Sequence, residues 1–434
     1  MGFRRMKVGV VSLGCAKNQV DTEQMLALLT AAGYELTPDP AQAQVIIVNT
    51  CGFITSAKEE SIDTILEMAA FKESGECRVL CVTGCLSERY RSELLEQIPE
   101  IDCILGVYQY DRIVPAIERA LKGERVSVEG NHEGFLECGR KLTTPPYWAY
   151  VRIGEGCSNR CAYCAIPRIR GDYRSRPMES ILTEMNLLAK GGAKEQILIA
   201  QDTSRWGSDN GSSLWNLMEK AVATPGLEWL RVLYMYPDEI DIPLLERMAK
   251  EPKICKYLDL PLQHASPSLL KKMNRRGDVG KTRELLKAAR DLGFTLRTTF
   301  IVGFPGETEK DFEDLMRFTE EIRFDRMGAF TYSPEEDTAA FDMPDQIDEE
   351  IKQRRLDELM TLQAEVSLER NRLRVGTREK VLVCGPLTGR SQREAPDADG
   401  EIRLLSETPT MEGEFVTAVI TEADTYDLTA RIEE

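Results

Sequence analysis

The chain reads as an α/β protein in three parts: a parallel α/β domain, a partial barrel of six strand–helix units, and a small antiparallel β-barrel at the end. Three observations predict this. Apolar, β-branched runs of strand length alternate with amphipathic helical patterns over the first 120 or so residues. After a polar stretch the alternation resumes and continues to Thr331. From Val375 helical periodicity stops, leaving short runs separated by Gly, Pro and Asp turns. At 434 residues, two or three domains with ample cores are expected.

The first part repeats one theme three times. Lys7–Gly14, Ala43–Thr50 and Cys77–Gly84 are strand-like and end at Cys15, Cys51 and Cys85. Helical patterns follow over Thr22–Ala32, Ser56–Phe71 and Glu88–Gln97. Such alternation implies a parallel sheet covered on both faces, and ligands of such sheets collect beyond the carboxyl ends of the strands. The three cysteines share that edge, so they can converge although 36 and 34 residues separate them. The plainer reading is three small residues at tight turns, but equivalent placement three times favours a shared ligand. Cys77, Cys81, Cys103, Cys138, Cys255 and Cys384 show no such pattern and read as packed thiols. Residues 5–122 form the expected domain, and Gly123–Pro146, polar and closed by Thr-Thr-Pro-Pro, reads as a linker.

The barrel strands are expected at Tyr147–Ile153, Glu195–Ala200, Glu228–Tyr234, Tyr257–Leu260, Thr295–Val302 and Arg326–Thr331. Six units make a barrel open on one side, with its site at the carboxyl ends of the strands. Gln201-Asp202, Gln263-His264 and Gly303-Phe-Pro-Gly-Glu307 follow strands there. Gly303 and Gly306 would let the backbone approach a ligand, or serve only as a tight turn. His264 reads as a hydrogen-bonded structural histidine. A charged helix at Asp348–Arg374 would cover the open flank and complete a domain over 143–372. Glu379–Cys384, Glu401–Leu405, Glu414–Ile420 and Tyr426–Ile432 are the strands of the last domain, 375–434.

The densest chemical signal follows the first barrel strand. Cys157, Cys161 and Cys164 have C-x3-C-x2-C spacing. Three thiolates can hold three irons of a cubane and leave the fourth iron open for chemistry, whereas four make a closed electron-transfer cluster. Zinc is the alternative, but structural zinc wants four ligands, and neither of the two histidines lies near this loop. The first triad, Cys15, Cys51 and Cys85, suggests a second cluster of the same kind. No general acid or base is evident.

The net charge is −17, from 55 basic and 72 acidic residues, which disfavours broad phosphate binding. No run approaches the roughly 18 apolar residues that span a membrane, and Met1–Lys7 lacks an apolar signal core. Twelve cysteines then read as metal ligands and buried thiols, and the expected compartment is the cytoplasm.

The C-x3-C-x2-C loop resembles the radical S-adenosylmethionine superfamily. There the free iron chelates the cofactor, and an aromatic residue before the last cysteine, Tyr163 here, meets the adenine through its backbone. Two triads on two α/β domains plus a β-barrel resemble the methylthiotransferase family over the whole chain. Within that family the likeness is to members that modify an aspartate of ribosomal small-subunit protein twelve (uS12). It is carried by Gln201–Gly207, Ser333–Thr338, Leu258–His264 and Gly389–Gly400. One departure is Asp337, where glycine is expected in a loop taken to be peripheral. The resemblance implies a flavodoxin-like first domain, a radical S-adenosylmethionine barrel and an OB-like TRAM domain. It also implies two 4Fe–4S clusters and S-adenosylmethionine as cofactors, with Tyr163, Gln201, Gly303 and Gly306 as cofactor contacts. The activity implied is insertion of a methylthio group at the aspartate β-carbon, with an electron donor such as flavodoxin or ferredoxin.

The related alternative is a transfer-RNA adenosine methylthiotransferase, and the unrelated one a non-catalytic nucleic-acid-binding protein with an iron–sulfur or zinc centre. Charge bears on both. From Val375 onward, Arg378, Lys380, Arg390, Arg393, Arg403 and Arg431 face thirteen acidic residues, a balance of −7. Such a domain repels phosphates and suits a lysine- and arginine-rich protein partner, so no direct nucleic-acid binding is expected.

Overall fold

Parallel pairing organises the first two thirds of the chain. The computed structural model describes residues 6–130, 134–406 and 408–433. Arg5, His132, Glu407 and Glu434, which enter the readings above, lie outside the described residues, as do Met1 to Arg4.

The first sheet consists of β1 (Lys7–Ser12), β2 (Glu35–Leu36), β3 (Val45–Thr50), β4 (Val79–Gly84), β5 (Cys103–Leu105) and β6 (Val126–Val128). All neighbours pair in parallel in the order β2-β1-β3-β4-β5-β6. The first five follow the flavodoxin-like order. β3 and β4 are buried at every position, as a strand covered on both faces must be. β6 falls within the stretch read as a linker, so the sheet runs past residue 122. Residues 140–143 of that stretch are tied down as a strap. Lys141 N donates to Glu23 O at 3.0 Å, Thr143 N to Glu23 Oε1 at 2.9 Å, and Arg140 pairs with both Glu23 and Glu184.

The barrel consists of β7 (Trp148–Arg152), the short pair β8 (Gly154–Glu155) and β9 (Arg174–Ser175), then β10 (Glu195–Ile199), β11 (Trp229–Val232), β12 (Tyr257–Asp259), β13 (Thr295–Val302) and β14 (Arg326–Thr331). The six long strands were expected as one arc. Their ladders instead form two three-stranded sheets, β11-β10-β7 and β12-β13-β14. Single bonds such as Met235 N to Asp259 O, 3.0 Å, join the halves. The core between strands and outer helices is apolar and continuous, from Val151 and Leu198 to Phe300 and Leu315. The helix Glu349–Arg372 covers the flank at β14. It also ties in the last domain, with Ser367 Oγ donating to Thr425 O at 2.6 Å and Asn371 Nδ2 to Asp424 O at 2.9 Å.

The last domain is a closed barrel of β15 (Arg378–Gly385), β16 (Thr388–Arg390), β17 (Ile402–Leu405), β18 (Phe415–Ala423) and β19 (Leu428–Ile432). β16 is too short to show in the sequence, and β17 pairs with β19 in parallel, so one pair departs from the antiparallel expectation. The segment after β16 plugs the amino-terminal end of the partial barrel. Arg390 reaches Glu195 at 2.8 Å, Tyr257 Oη donates to Asp399 Oδ2 at 2.6 Å, and Arg326 reaches Glu394 at 3.2 Å. Two of the thirteen acidic residues, Glu394 and Asp399, are therefore buried against the partial barrel and add nothing to the outer charge. Among the described residues no helix is long and apolar enough to cross a membrane.

Candidate active site

The Cys15, Cys51 and Cys85 loops meet at the carboxyl edge of the first sheet, and backbone shape brings them there. Gly14 has φ +90°, and a Cβ on it would lie 3.2 Å from Cys51 Sγ. A Cβ on Gly52 would lie 2.7 Å from Leu86 N, and one on Gly84 (φ +101°) would overlap Thr50 O. Only glycine tolerates the crowding at Gly52, and the crowding together with a positive φ at Gly14 and Gly84. Asn18 stitches the three loops. Its Nδ2 donates to Leu13 O at 3.1 Å and Thr50 O at 2.9 Å, and its Oδ1 accepts from Cys85 Sγ at 3.6 Å.

Arg170, 1% exposed, points into this triad from the barrel. Its Nη2 lies 3.6 Å from Cys85 Sγ and donates to Asn18 Oδ1 and Asp21 Oδ2, both at 2.8 Å, while Nη1 meets Glu155 at 3.2 Å. Arg152 completes the square by pairing with Asp21 and with Glu155 at 3.1 Å. Burial pushes the Cys85 thiol up to about 12, against the pull of Arg170. Burial also acts to raise Cys15, but Lys17, Arg170 and the amides of Asn18 and Lys17 outweigh it and hold that thiol below its ordinary value.

Cys157, Cys161 and Cys164 occupy the loop between β8 and β9. Gly156 (φ +72°) sets the entry, since a Cβ there would overlap Asp172 O. Cys157 N donates to Gly171 O at 3.1 Å and Cys164 N to Cys161 O at 3.0 Å. Arg275 answers this triad as Arg170 answers the other. Its Nη1 is 3.7 Å from Cys161 Sγ and 3.4 Å from Tyr163 Oη, and its guanidinium stacks 4.1 Å from the Tyr236 ring centre. Burial raises Cys157 to about 11 and pushes Cys164 up too.

Three thiols at each place match the donor count of a cubane with one open iron. Among the described residues no three His, Cys, Asp or Glu side chains are arranged to hold one metal ion, which at sulfur bonds of about 2.3 Å would need them tightly converged. Cys85, Cys157 and Cys164, raised as they are, become thiolates only against a bound cation. Three thiols beside a buried guanidinium suit a cubane, whose charge and sulfur hydrogen bonds the protein tunes.

The remaining expected residues divide. Gln201 Nε2 donates to Glu155 Oε1 at 3.1 Å, and its Oε1 is buried with no partner among the described residues. Tyr163 packs edge-on to Phe304, centroids 6.5 Å apart. Gly303 and Gly306 both have φ +73°; a Cβ on Gly303 would overlap the Lys352 stem, and one on Gly306 would meet the Lys272 ammonium. His264 is buried and hydrogen-bonded, Nδ1 accepting from Ser266 N at 3.0 Å. Asp337 occupies the left-handed region at φ +65°, where glycine is the usual choice and aspartate is tolerated. Its loop is not peripheral, because Glu335, 1% exposed, pairs with Lys58 at 2.9 Å and Arg89 at 3.1 Å of the first domain. Arg170 and Arg275 were missed by sequence reasoning. The one available signal was a basic residue placed six beyond Cys164.

Comparison with known proteins defines the class first. Residues 7–106 match the uncharacterized protein family UPF0004, 151–319 the radical SAM superfamily, and 375–432 the TRAM domain. In fold the chain is similar to the radical S-adenosylmethionine methyltransferase TsrM from Kitasatospora setae, with TM-score 0.58, 16% identity, and 78% of this chain and 77% of that one covered. A relative named ribosomal protein uS12 methylthiotransferase RimO, from Pelobacter propionicus, is 47% identical over 99% of this chain and 98% of its own length. The same-named protein of Geobacter sulfurreducens is 47% identical over 100% of both chains. The chain belongs to the RimO family of radical S-adenosylmethionine methylthiotransferases.

Proposed function

We propose that this chain inserts a methylthio group at the β-carbon of an aspartate of ribosomal protein uS12, the protein for which its full-length relatives are named. The observation that carries the reading is that Arg170, six residues beyond the second triad, reaches Cys85 of the first across the domain junction, in a chain alike from end to end to those enzymes.

In this reading Cys157, Cys161 and Cys164 hold one 4Fe–4S cluster and Cys15, Cys51 and Cys85 hold another. Bound with S-adenosylmethionine, they would supply one-electron chemistry, the methyl group and the sulfur. Gln201 offers its unpartnered Oε1 to S-adenosylmethionine, and Tyr163 its backbone. For Gly303 and Gly306 the proposed role is the turn that seats Phe304 against Tyr163. Arg170 and Arg275 orient one thiolate of each triad and offset its charge. Burial between the first domain, the barrel and the 391–400 segment keeps water from a reactive centre. An electron donor of the flavodoxin or ferredoxin class, and a cytoplasmic setting, complete the proposal. The transfer-RNA alternative is not retained, because the full-length relatives reported above are named for uS12.

Mass spectrometry of uS12 from a strain lacking the chain, with and without complementation, tests the substrate. Reconstituted protein should hold about eight irons, and about four after Cys157, Cys161 and Cys164 are changed to alanine. Changing Cys15, Cys51 and Cys85 should abolish methylthiolation while S-adenosylmethionine cleavage persists. Unaltered uS12 in the deletion strain, or zinc in place of iron, would overturn the assignment.

A further inference from the structure

A cavity of about 770 Å³ lies where the three parts meet. Cys15 lines it from the first domain, Tyr150, Tyr234 and Arg297 from the barrel, and Asp397 from the segment after β16. Among the lining residues Arg297 is the only cation and Asp397 the only anion. Tyr150 Oη donates to Asp397 at 3.3 Å, which occupies part of that carboxylate.

Arg297 stands on β13 with its side chain turned inward. Nη1 donates to Asp259 Oδ1 at 2.8 Å, and Nε lies 3.8 Å from Asp399 Oδ1. Nη2 makes no hydrogen bond among the described residues, and the side chain keeps 22% exposure. Tyr234 beside it holds φ +61°, unusual for a bulky residue. Asp259 fixes this arrangement by accepting from Tyr234 N at 2.8 Å, and Lys17 Nζ sits 3.5 Å over the Tyr234 ring. Strained backbone of this kind collects where a ligand is clamped.

We propose that this cavity is the subsite for the target side chain and that Arg297 receives its carboxylate. The inference rests on the uS12 aspartate reading above. A carboxylate leaving water for a domain junction needs a charged, hydrogen-bonding partner. A guanidinium with one arm tied to Asp259 keeps donors in fixed directions for a second carboxylate. The reacting β-carbon is one bond from that carboxylate, so holding the carboxylate places the carbon. Cys15 shares the cavity, which puts the held side chain beside the triad proposed to deliver sulfur.

The rival is that Arg297 serves only to neutralise Asp259 and Asp399. Binding separates the two readings without turnover. A peptide spanning the target aspartate of uS12, and its asparagine counterpart, are titrated by fluorescence anisotropy onto the full-length protein. Wild type should prefer the aspartate peptide by about tenfold or more, the scale of one hydrogen bond between charged groups. Arg297→Met should bind both peptides alike, and Arg297→Lys should keep only part of the preference, with melting temperature reporting the fold of each. If Arg297→Met does not fold, Arg297→Lys decides, and an undiminished preference there overturns the proposal. A wild type indifferent to the aspartate does so too. Methylthiolation of uS12 by the reconstituted enzyme, measured alongside, keeps the two failures apart. If uS12 is modified while Arg297 proves irrelevant, this subsite falls and the function stands. If uS12 is not modified, the function itself falls.

Discussion

Replacing Glu195 with glutamine should loosen the terminal domain from the barrel. Glu195 begins β10 with 0% exposure and accepts from Arg231 Nε and Arg390 Nη2, both at 2.8 Å. Arg231 is equally buried, donates to Gln392 O at 2.9 Å, and lies 4.8 Å from the Tyr257 ring centre. Burial acts to raise the Glu195 carboxyl, but Arg390 and Arg231 outweigh it and hold it below the usual range. Glutamine would leave two buried guanidiniums without their anion, a loss of about 3–5 kcal/mol for a broken buried pair. At about 2–4 °C per kcal/mol for a unit of 150–250 residues, the melting transition should fall by about 6–20 °C. Calorimetry reads the shift, and limited proteolysis reads release of the 391–400 segment. Adding Arg390→Met removes one unpaired cation and should recover part of the loss, a coupling that a double-mutant cycle isolates. A shift below about 2 °C, or a double variant that loses the full sum of both single effects, would refute the electrostatic latch.

Two further outcomes are expected. Arg170→Met should weaken metal retention at the Cys15, Cys51 and Cys85 triad by about 10–100-fold under chelator challenge, the usual effect of removing an outer partner of a ligand. The Cys157 triad should be spared, and equal retention at both, followed by electron paramagnetic resonance, would deny Arg170 that role. Asp311 is held at about 2, because hydrogen bonds from Ser266, Thr308 and Ser268 outweigh the burial that would raise it. Its unfolded value is near 3.9, so its contribution is complete above about pH 4 and is lost as pH falls through about 2. Asp311→Asn should flatten the melting temperature in that window, and an unchanged acid slope would show that the carboxylate contributes nothing.

Much of the site was legible because parallel sheets obey a local rule. Each strand delivers its following residue to the same edge, so Cys15, Cys51 and Cys85 could be grouped without knowing any distance. The C-x3-C-x2-C loop was equally plain, since close spacing limits where three thiols can go. The helix Ala16–Ala31 was less so. The helical pattern was read only from Thr22, whereas the helix begins at Ala16, and Lys17, Asn18, Asp21, Glu23 and Gln24 along it are all buried. They face Arg152, Arg170, Arg140 and the Tyr234 ring, partners more than a hundred residues away. Hydrophobic periodicity reports which face avoids water, and it is silent about a polar face that meets another domain's charges. The 123–146 strap read as a linker for the same reason, and the acidic count of the last domain included Glu394 and Asp399, which point inward.

The amino-acid sequence alone determined the order of the longer strands and helices, the two triads and the family resemblance, because those depend on local periodicity and close spacing. Only the tertiary structure decided which arginine meets which thiol, that the segment after β16 plugs the barrel, and that Arg297 is the one cation among the residues lining the cavity beside Cys15. Those facts depend on long-range pairs, and the strength of a buried charge is set by what surrounds it in space and not by its neighbours in the chain.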